Sequence, residues 1–402
     1  MRPNDIGLFH KQQILSILRR KRHSRADIAR MLNLKKSSIS LIIEKLISQG
    51  FILEAKKNDN IVKNGRKPIP LKLNPEKGYI IGIEIGFEGI LSVLTNFQGK
   101  ICAKEKVPPK SFRYNADELI GEILKLFSEF AKRKNNILGI GIGMSGRINE
   151  ENGVIKFSNL LEEKNVPLKE MLEEETAVPV FIDSNDNVGG LCEKHFGRGI
   201  NAKNMVYLQK RRSLGAAIFI DGKLYRGMKN YAGELTFYVE NLYDKNHSRN
   251  IYGSTLDLKK YFLLELKDKE HPLIKEKCGR EEYLTEQMIF EAAREKDDFA
   301  LNIVNNYAEH YGILAAHLAD FLAPDSIVFG GDFVWGGNLF IETAERAFRE
   351  KALKEISNKI KLELSPFDDD AVALGGTVLA FTQLCKKTNL LNNFMENRVV
   401  EV

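Results

Sequence analysis

Lys35, Lys36, Ser37, Ser38 and Ser40 bring two cations and three hydroxyls together in one short stretch. Such groups donate to phosphate oxygens and exchange hydrogen bonds with base edges, and no bulky side chain among them blocks approach to a groove. The chemistry they suit is recognition of double-stranded DNA. For that they must stand on the first turn of a helix, and the flanking residues predict one. Ser24, with Asp27 three residues on, reads as an N-cap with an acid at N3, so a helix is expected to begin near Arg25 and to bury Ala26, Ile28, Ala29 and Leu32. Asn33-Leu34-Lys35-Lys36 then turns the chain. Ser37 or Ser38 is expected to cap a second helix that carries Ile39, Ile42, Ile43, Leu46 and Ile47 inward and ends at Gly50. A preceding helix over residues 8–21 offers Ile14, Leu15, Ile17 and Leu18 to the same core. The competing reading is an ordinary helical hairpin with a solvated basic face.

Two neighbouring features argue against that alternative. After Gly50, residues 51–54 and 69–73 read as strands on either side of a polar, basic loop containing Gly65-Arg66-Lys67-Pro68, which is the order of a winged helix. Charge is also segregated. Residues 1–77 hold 18 Lys and Arg against 6 Asp and Glu, whereas the whole chain is only +6 and the remainder is therefore acidic. A cationic module on an acidic body suits a polyanionic partner better than a uniformly basic protein does.

A length of 402 residues allows two or three domains, and 43% apolar with 28% charged residues is the composition of a globular protein. No run is long and apolar enough for a membrane span and residues 1–7 do not resemble a signal peptide, so a cytoplasmic location is expected, with no membrane partner. Cys102, Cys192, Cys278 and Cys385 are widely spaced and form no CxxC pair, which predicts single buried thiols, not disulfides or a compact zinc site.

From Tyr79 the periodicity changes. Residues 79–86 read as a buried strand, 89–96 as its hairpin partner, 116–133 as an amphipathic helix, 136–144 as another buried strand, and 178–182 as a strand entering the polar loop 183–187 and a helix. The second half repeats the grammar, with strands at 204–208 and 215–220, a long helix over 300–322, a strand with a glycine turn at 326–331, and helices over 339–351 and 372–381. The expected architecture is α/β: a module over 1–73, a first lobe over 74–195 and a second over 196–402 whose last helix can return to the first, with a cleft between the lobes.

The chain resembles the ROK family (repressors, open reading frames, sugar kinases), and in particular its regulators, in which a winged helix-turn-helix precedes an actin-like, ribonuclease H-like sugar-kinase fold. The resemblance rests on GIEIGFEGILSVLTNFQG at 82–99, GIGIGMSGRIN at 139–149, VPVFIDSNDNVGGLCEKHFG at 178–197, DGKLYRGMKNYAGEL at 221–235 and PDSIVFGGDF at 324–333, with Gly65-Arg66-Lys67-Pro68 matching the regulators' linker arm. It implies that Asn185, Asp186 and Glu234 contact a sugar, that Asp186 sits where the kinases keep a catalytic base, and that Asp257 stands in for a second sugar-contacting acid. It also implies that Arg66 reaches DNA beside the wing. The function so implied is that of a sugar-responsive repressor of carbohydrate-utilisation genes, acting on an operator as a homodimer or higher homo-oligomer. An ATP-dependent hexose or N-acetylhexosamine kinase is the alternative.

Departures from the family pattern shape the remaining expectations. Thr236-Phe237 stands where a zinc-binding histidine is usual, and residues 238–257 contain no cysteine, so no zinc is expected. Phe87 and Glu88 bring bulk and negative charge to the first phosphate loop, and Gln209-Lys210-Arg211-Arg212-Ser213 replaces the second, glycine-rich one. No cofactor is expected, and ATP only if the chain is a kinase. Lys210, Arg211 and Arg212 read as a solvated basic loop.

Overall fold

A computed structural model of the chain describes residues 3–55, 69–235, 257–267 and 270–386. By its internal contacts the chain forms two compact units, residues 1–188 with 372–402, and residues 189–371.

The first unit opens with helix α1 (Pro3–Arg20), the short strand β1 (His23–Ser24), α2 (Arg25–Met31), α3 (Lys36–Ser48), and strands β2 (Ile52–Glu54) and β3 (Pro70–Leu73). The start of α2 is set locally: Ser24 Oγ accepts from the Asp27 N–H at 3.2 Å while Asp27 Oδ2 accepts from the Ser24 N–H at 3.0 Å, a reciprocal capping box. This pair holds the Asp27 carboxyl below its ordinary range, the Ser24 side-chain hydrogen bond being the largest cause. Helix α3 begins two residues earlier than a Ser37 cap would require. Its N-cap is Lys35, which makes no side-chain capping bond, so Ser37 and Ser38 lie inside the first turn, both exposed. Gly50, at φ 72°, ends the helix with its N–H donating to Ile47 O. Ile14, Leu15, Ile28, Ile39, Ile43 and Leu46 are fully or almost fully buried, and β3 pairs with both β1 and β2 to form the wing sheet.

The same unit continues with β4 (Tyr79–Gly86), β5 (Gly89–Asn96), β6 (Ile101–Val107), α4 (Ala116–Arg133), β7 (Ile137–Met144), the hairpin β8 (Arg147–Asn149) and β9 (Val154–Phe157), α5 (Leu168–Thr176), β10 (Val180–Ser184) and α6 (Asn185–Phe196), which runs across the boundary into the second unit. The sheet order is β10-β7-β4-β5-β6, with β4 antiparallel to β5 and parallel to β7. The second unit holds β11 (Met205–Lys210), β12 (Leu214–Ile220), β13 (Lys223–Tyr225), α7 (Leu258–Leu266), α8 (Glu286–Arg294), α9 (Asp298–Leu322), β14 (Ser326–Gly331), α10 (Gly337–Lys351), α11 (Lys354–Ser357) and β15 (Lys361–Leu364). Read as β15-β14-β11-β12-β13, its sheet repeats the pairings of the first: two parallel neighbours on one side of the central strand and an antiparallel hairpin on the other. A last helix, α12 (Asp370–Lys386), belongs to the first unit from Val372 onward.

Helix α12 lies against the first sheet at backbone distance. A Cβ on Gly82 would stand 1.9 Å from Ala373 O and one on Gly141 1.9 Å from Gly376 O, so only glycine fits at either strand position. The winged helix-turn-helix packs on this body without a free linker. Arg19 is buried, donates to Thr377 O at 3.0 Å and Thr377 Oγ1 at 3.1 Å, and sets its guanidinium 4.2 Å from the Phe381 ring centroid. Phe97 stacks between Phe51 and Phe381, with centroids 5.8 and 5.2 Å away. Of the cysteines, Cys192 and Cys385 are buried and Cys278 is half-buried, but Cys102 is exposed because it lies on β6, the edge strand of its sheet.

Candidate functional site

On α3 the predicted DNA-facing residues come together. Lys35, Lys36, Ser37 and Ser38 are exposed and Ser40 is half-buried, all at the N-terminal end of the helix, where unpaired backbone N–H groups and the positive end of the dipole add to the lysines. The presentation of this turn depends on a residue that sequence reasoning passed over. Arg25, at the head of α2, reaches Glu44 of α3 at 3.2 Å and Glu54 of β2 at 3.1 Å, so one guanidinium clamps three elements of the module. A basic residue directly after an N-cap gave no sign of this, since both acids lie far along the chain. Arg66 and the remainder of the loop 56–68 lie outside the described residues.

Asn185 and Asp186 fall on the first turn of α6, directly after β10, not in a polar loop. Local hydrogen bonding explains the difference. Asp183 Oδ1 accepts from the Ser184 N–H at 2.8 Å and from Asn187 Nδ2 at 3.0 Å, and Ser184 Oγ accepts from the Asn187 N–H at 3.3 Å, which winds the segment into helix at once. Asp186 is half-buried. Asn185 is 9% exposed, and its Oδ1 accepts no hydrogen bond from the described residues. A desolvated amide oxygen without a donor is costly, and a ligand hydroxyl is one of the few groups that can relieve it. Gly143 on β7 makes room for it: a Cβ there would stand 3.2 Å from Asn185 Oδ1 and 2.3 Å from Val372 Cγ1.

The other two predicted sugar contacts belong to the second unit. Glu234 is exposed, on a turn pinned where the Ala216 N–H donates to Gly233 O at 2.9 Å; Gly233 has φ 91°, and a Cβ on it would stand 1.9 Å from Ala216 O. Asp257 is the N-cap of α7, its Oδ1 accepting from the Lys260 N–H at 2.9 Å. Thr236-Phe237 and residues 238–256, on which the zinc expectation turned, lie outside the described residues. Among the described residues no group of three or more His, Cys, Asp or Glu is placed to hold a metal ion.

The segment after β11 departs from expectation. Of its three cations only Arg212 is exposed; Arg211 is half-buried and Lys210 is 3% exposed. Lys210 Nζ stands 3.6 Å from Glu286 of α8 and donates to Arg211 O, while Arg211 bridges Asp332 and Asp369, each at 3.1 Å. Acids far along the chain draw Lys210 and Arg211 inward, so these two form an internal ion-pair network, whereas Arg212 is exposed as expected. Burial pushes the Glu286 carboxyl up to about 7, against the opposing pull of Lys210. These residues are a poor fit to a nucleotide: Lys210 and Arg211 are paired with carboxylates of the protein, and Gln209 to Ser213 contain no glycine to bring backbone N–H groups close to a phosphate. At the β4–β5 turn Phe87 packs on Phe112 at 5.8 Å between centroids.

The ROK family model matches residues 80–239 and 266–383. A xylose repressor from Caldicellulosiruptor bescii is 29% identical over 378 residues, 92% of this chain and 94% of that protein. A glucokinase from Halalkalibacterium halodurans is 27% identical over 311 residues, 74% of this chain and 93% of its own. The crystal structure of a ROK family transcriptional regulator, a homolog of the E. coli Mlc protein, superposes with a TM-score of 0.78 at 22% identity, covering 98% of this chain and all of that one, which shows a shared fold. The family model begins after the helix-turn-helix module, whereas the repressor and the regulator match over more than nine-tenths of the chain. Matched by the family model over well more than half of its length, and built to the extent of that family's regulators, the chain belongs to the ROK family.

Proposed function

We propose that the chain is a sugar-responsive transcriptional regulator, a repressor of carbohydrate-utilisation genes that binds an operator through residues 1–73 as a homodimer in the cytoplasm. The observation that carries this reading is the exposed Lys35–Ser38 turn on a module that the matched repressor also spans. A sugar bound to the α/β part favours one arrangement of the dimer over another and so changes the fraction of molecules that can engage two half-sites. Asn185, Asp186, Glu234 and Asp257 are the proposed sugar contacts. Asn185 has the strongest physical case because of its unpaired oxygen, and Asp257 the weakest because its carboxylate already caps a helix. The repressor relatives' names make xylose the first sugar to test.

A thermal-shift screen of the purified protein against xylose, glucose, N-acetylglucosamine and related sugars tests the effector half of the proposal, since a ligand that binds only the folded chain raises its melting temperature. At least one sugar should do so, and Asn185→Ala should lose about 1–3 kcal/mol of its binding. A panel that shifts nothing would remove the sugar from the proposal. The reading includes no bound zinc and no sugar phosphorylation. Metal analysis of the purified protein checks the first, and ADP release with magnesium, ATP and the best-binding sugar checks the second. Turnover near the ~1–100 s⁻¹ of working kinases would make the chain an enzyme.

A further inference from the structure

The outward line of α3 carries an apolar side chain that neither the core nor the predicted polar contacts use. Ser37, Leu41, Glu44 and Ser48 follow one another at helical spacing on the side opposite buried Ile39, Ile43 and Leu46. Leu41, in the middle of this line, is 69% exposed. Its surroundings are those of a surface that meets DNA. Ser37 and Ser38 lie one turn before it and Lys45 one turn after, and the only acid on the line, Glu44, is held at 3.2 Å by Arg25, so its charge is compensated. Single exposed leucines are common on protein surfaces. This one stands where a helix entering the major groove places its central side chain, and the only apolar group a base pair offers there is the C5-methyl of thymine.

We propose that Leu41 reads a thymine methyl group in the operator, setting sequence preference next to positions contacted by Lys36 and Ser38. The inference rests on the DNA-binding reading above and adds to it a residue and the base feature it recognises.

The test uses duplexes that the full-length protein selects from a randomised pool, with each thymine of the selected sequence replaced in turn by deoxyuridine, which lacks only the methyl group. For the wild-type chain at least one replacement should weaken binding about fourfold, the worth of one buried methyl. Leu41→Ala should bind the thymine duplex at least about fourfold more weakly and lose nothing further at that same replacement. The substitution touches no core contact and alanine favours the helix, so folding is retained. Equal losses for both proteins at every thymine, or a Leu41→Ala chain that binds as wild type does, would overturn the proposal while leaving DNA binding in place. Failure of the wild-type protein to select any duplex would remove the DNA-binding reading itself.

Discussion

Lys35-Lys36 and Lys210-Arg211 are both cationic pairs at the end of a regular element, one opening α3 and the other closing β11, and they meet opposite fates. The first pair is exposed. The second is drawn inward by Glu286, Asp332 and Asp369, with Lys210 almost fully buried. An exposed cation keeps its charge available to a polyanion and releases counterions when it binds one; a buried, paired cation has already spent its attraction on the protein. The two stretches thus use their positive charge differently: the first keeps it exposed, and the second pairs it with the protein's own carboxylates.

The largest effect that can break this comparison is salt dependence. If the exposed module meets the several phosphates expected of a dimer, operator affinity should fall by about 10³–10⁵ between 50 and 200 mM salt, read as the slope of log K against log salt in a titration. A flat plot would mean that the exposed pair is no more engaged with DNA than the buried one. Next comes stability. Lys210→Ala should cost about 3–5 kcal/mol at pH 8, where buried Glu286 loses its counter-charge and must stay charged or take up a proton, and less at pH 5.5, where the carboxyl already holds one. Lys36→Ala should stay within about 0.5 kcal/mol of wild type in the same urea unfolding experiment.

On operator binding the order reverses. Lys36→Ala or Ser38→Ala should weaken it by about 1–3 kcal/mol where the side chain reads a base, or uniformly across sequences where it meets phosphate, and competition between specific and random duplexes separates the two. A separate test of the buried pair concerns pH. Glu286, raised from its ordinary 4.5 to about 7, keeps a proton in the folded chain where the unfolded chain has released it, so it lowers stability as pH rises through that window. The unfolding free energy of Glu286→Gln relative to wild type should therefore rise between pH 4.5 and 7 and level off above; a constant difference would show that Glu286 titrates normally.

What could be read in advance depended on the distance between interacting groups. The two-sheet α/β plan and the helix-turn-helix were legible because burial imposes a period on each strand and helix, as in residues 79–86 and 300–322, and that period is a local property of the chain. The α2 cap was legible for the same reason, Ser24 and Asp27 being three residues apart. The serine cap proposed for α3 misled because a helix without a side-chain cap can start wherever the turn before it ends, here at Lys35. Among the site residues, position was legible and environment was not: nothing near Asn185 in the chain announces that its amide oxygen is desolvated, since Gly143 and the residues around it create that surrounding.

By itself the sequence determined the main strands and helices of the α/β part and the cationic character of residues 1–77. Only the tertiary structure decided which cations remain available. Lys210 and Arg211 look as soluble in the sequence as Lys35 and Lys36, and their acids lie 76, 121 and 158 residues further on, brought beside them by the strand order β11-β14-β15 and the helices that join it. The same holds for Arg19, which looks like one more cation of a DNA-binding module and is buried against Thr377 and Phe381. The physical reason is that a charge is tuned by whatever lies within a few ångströms of it, and in a fold made of crossing strands those neighbours are set by topology.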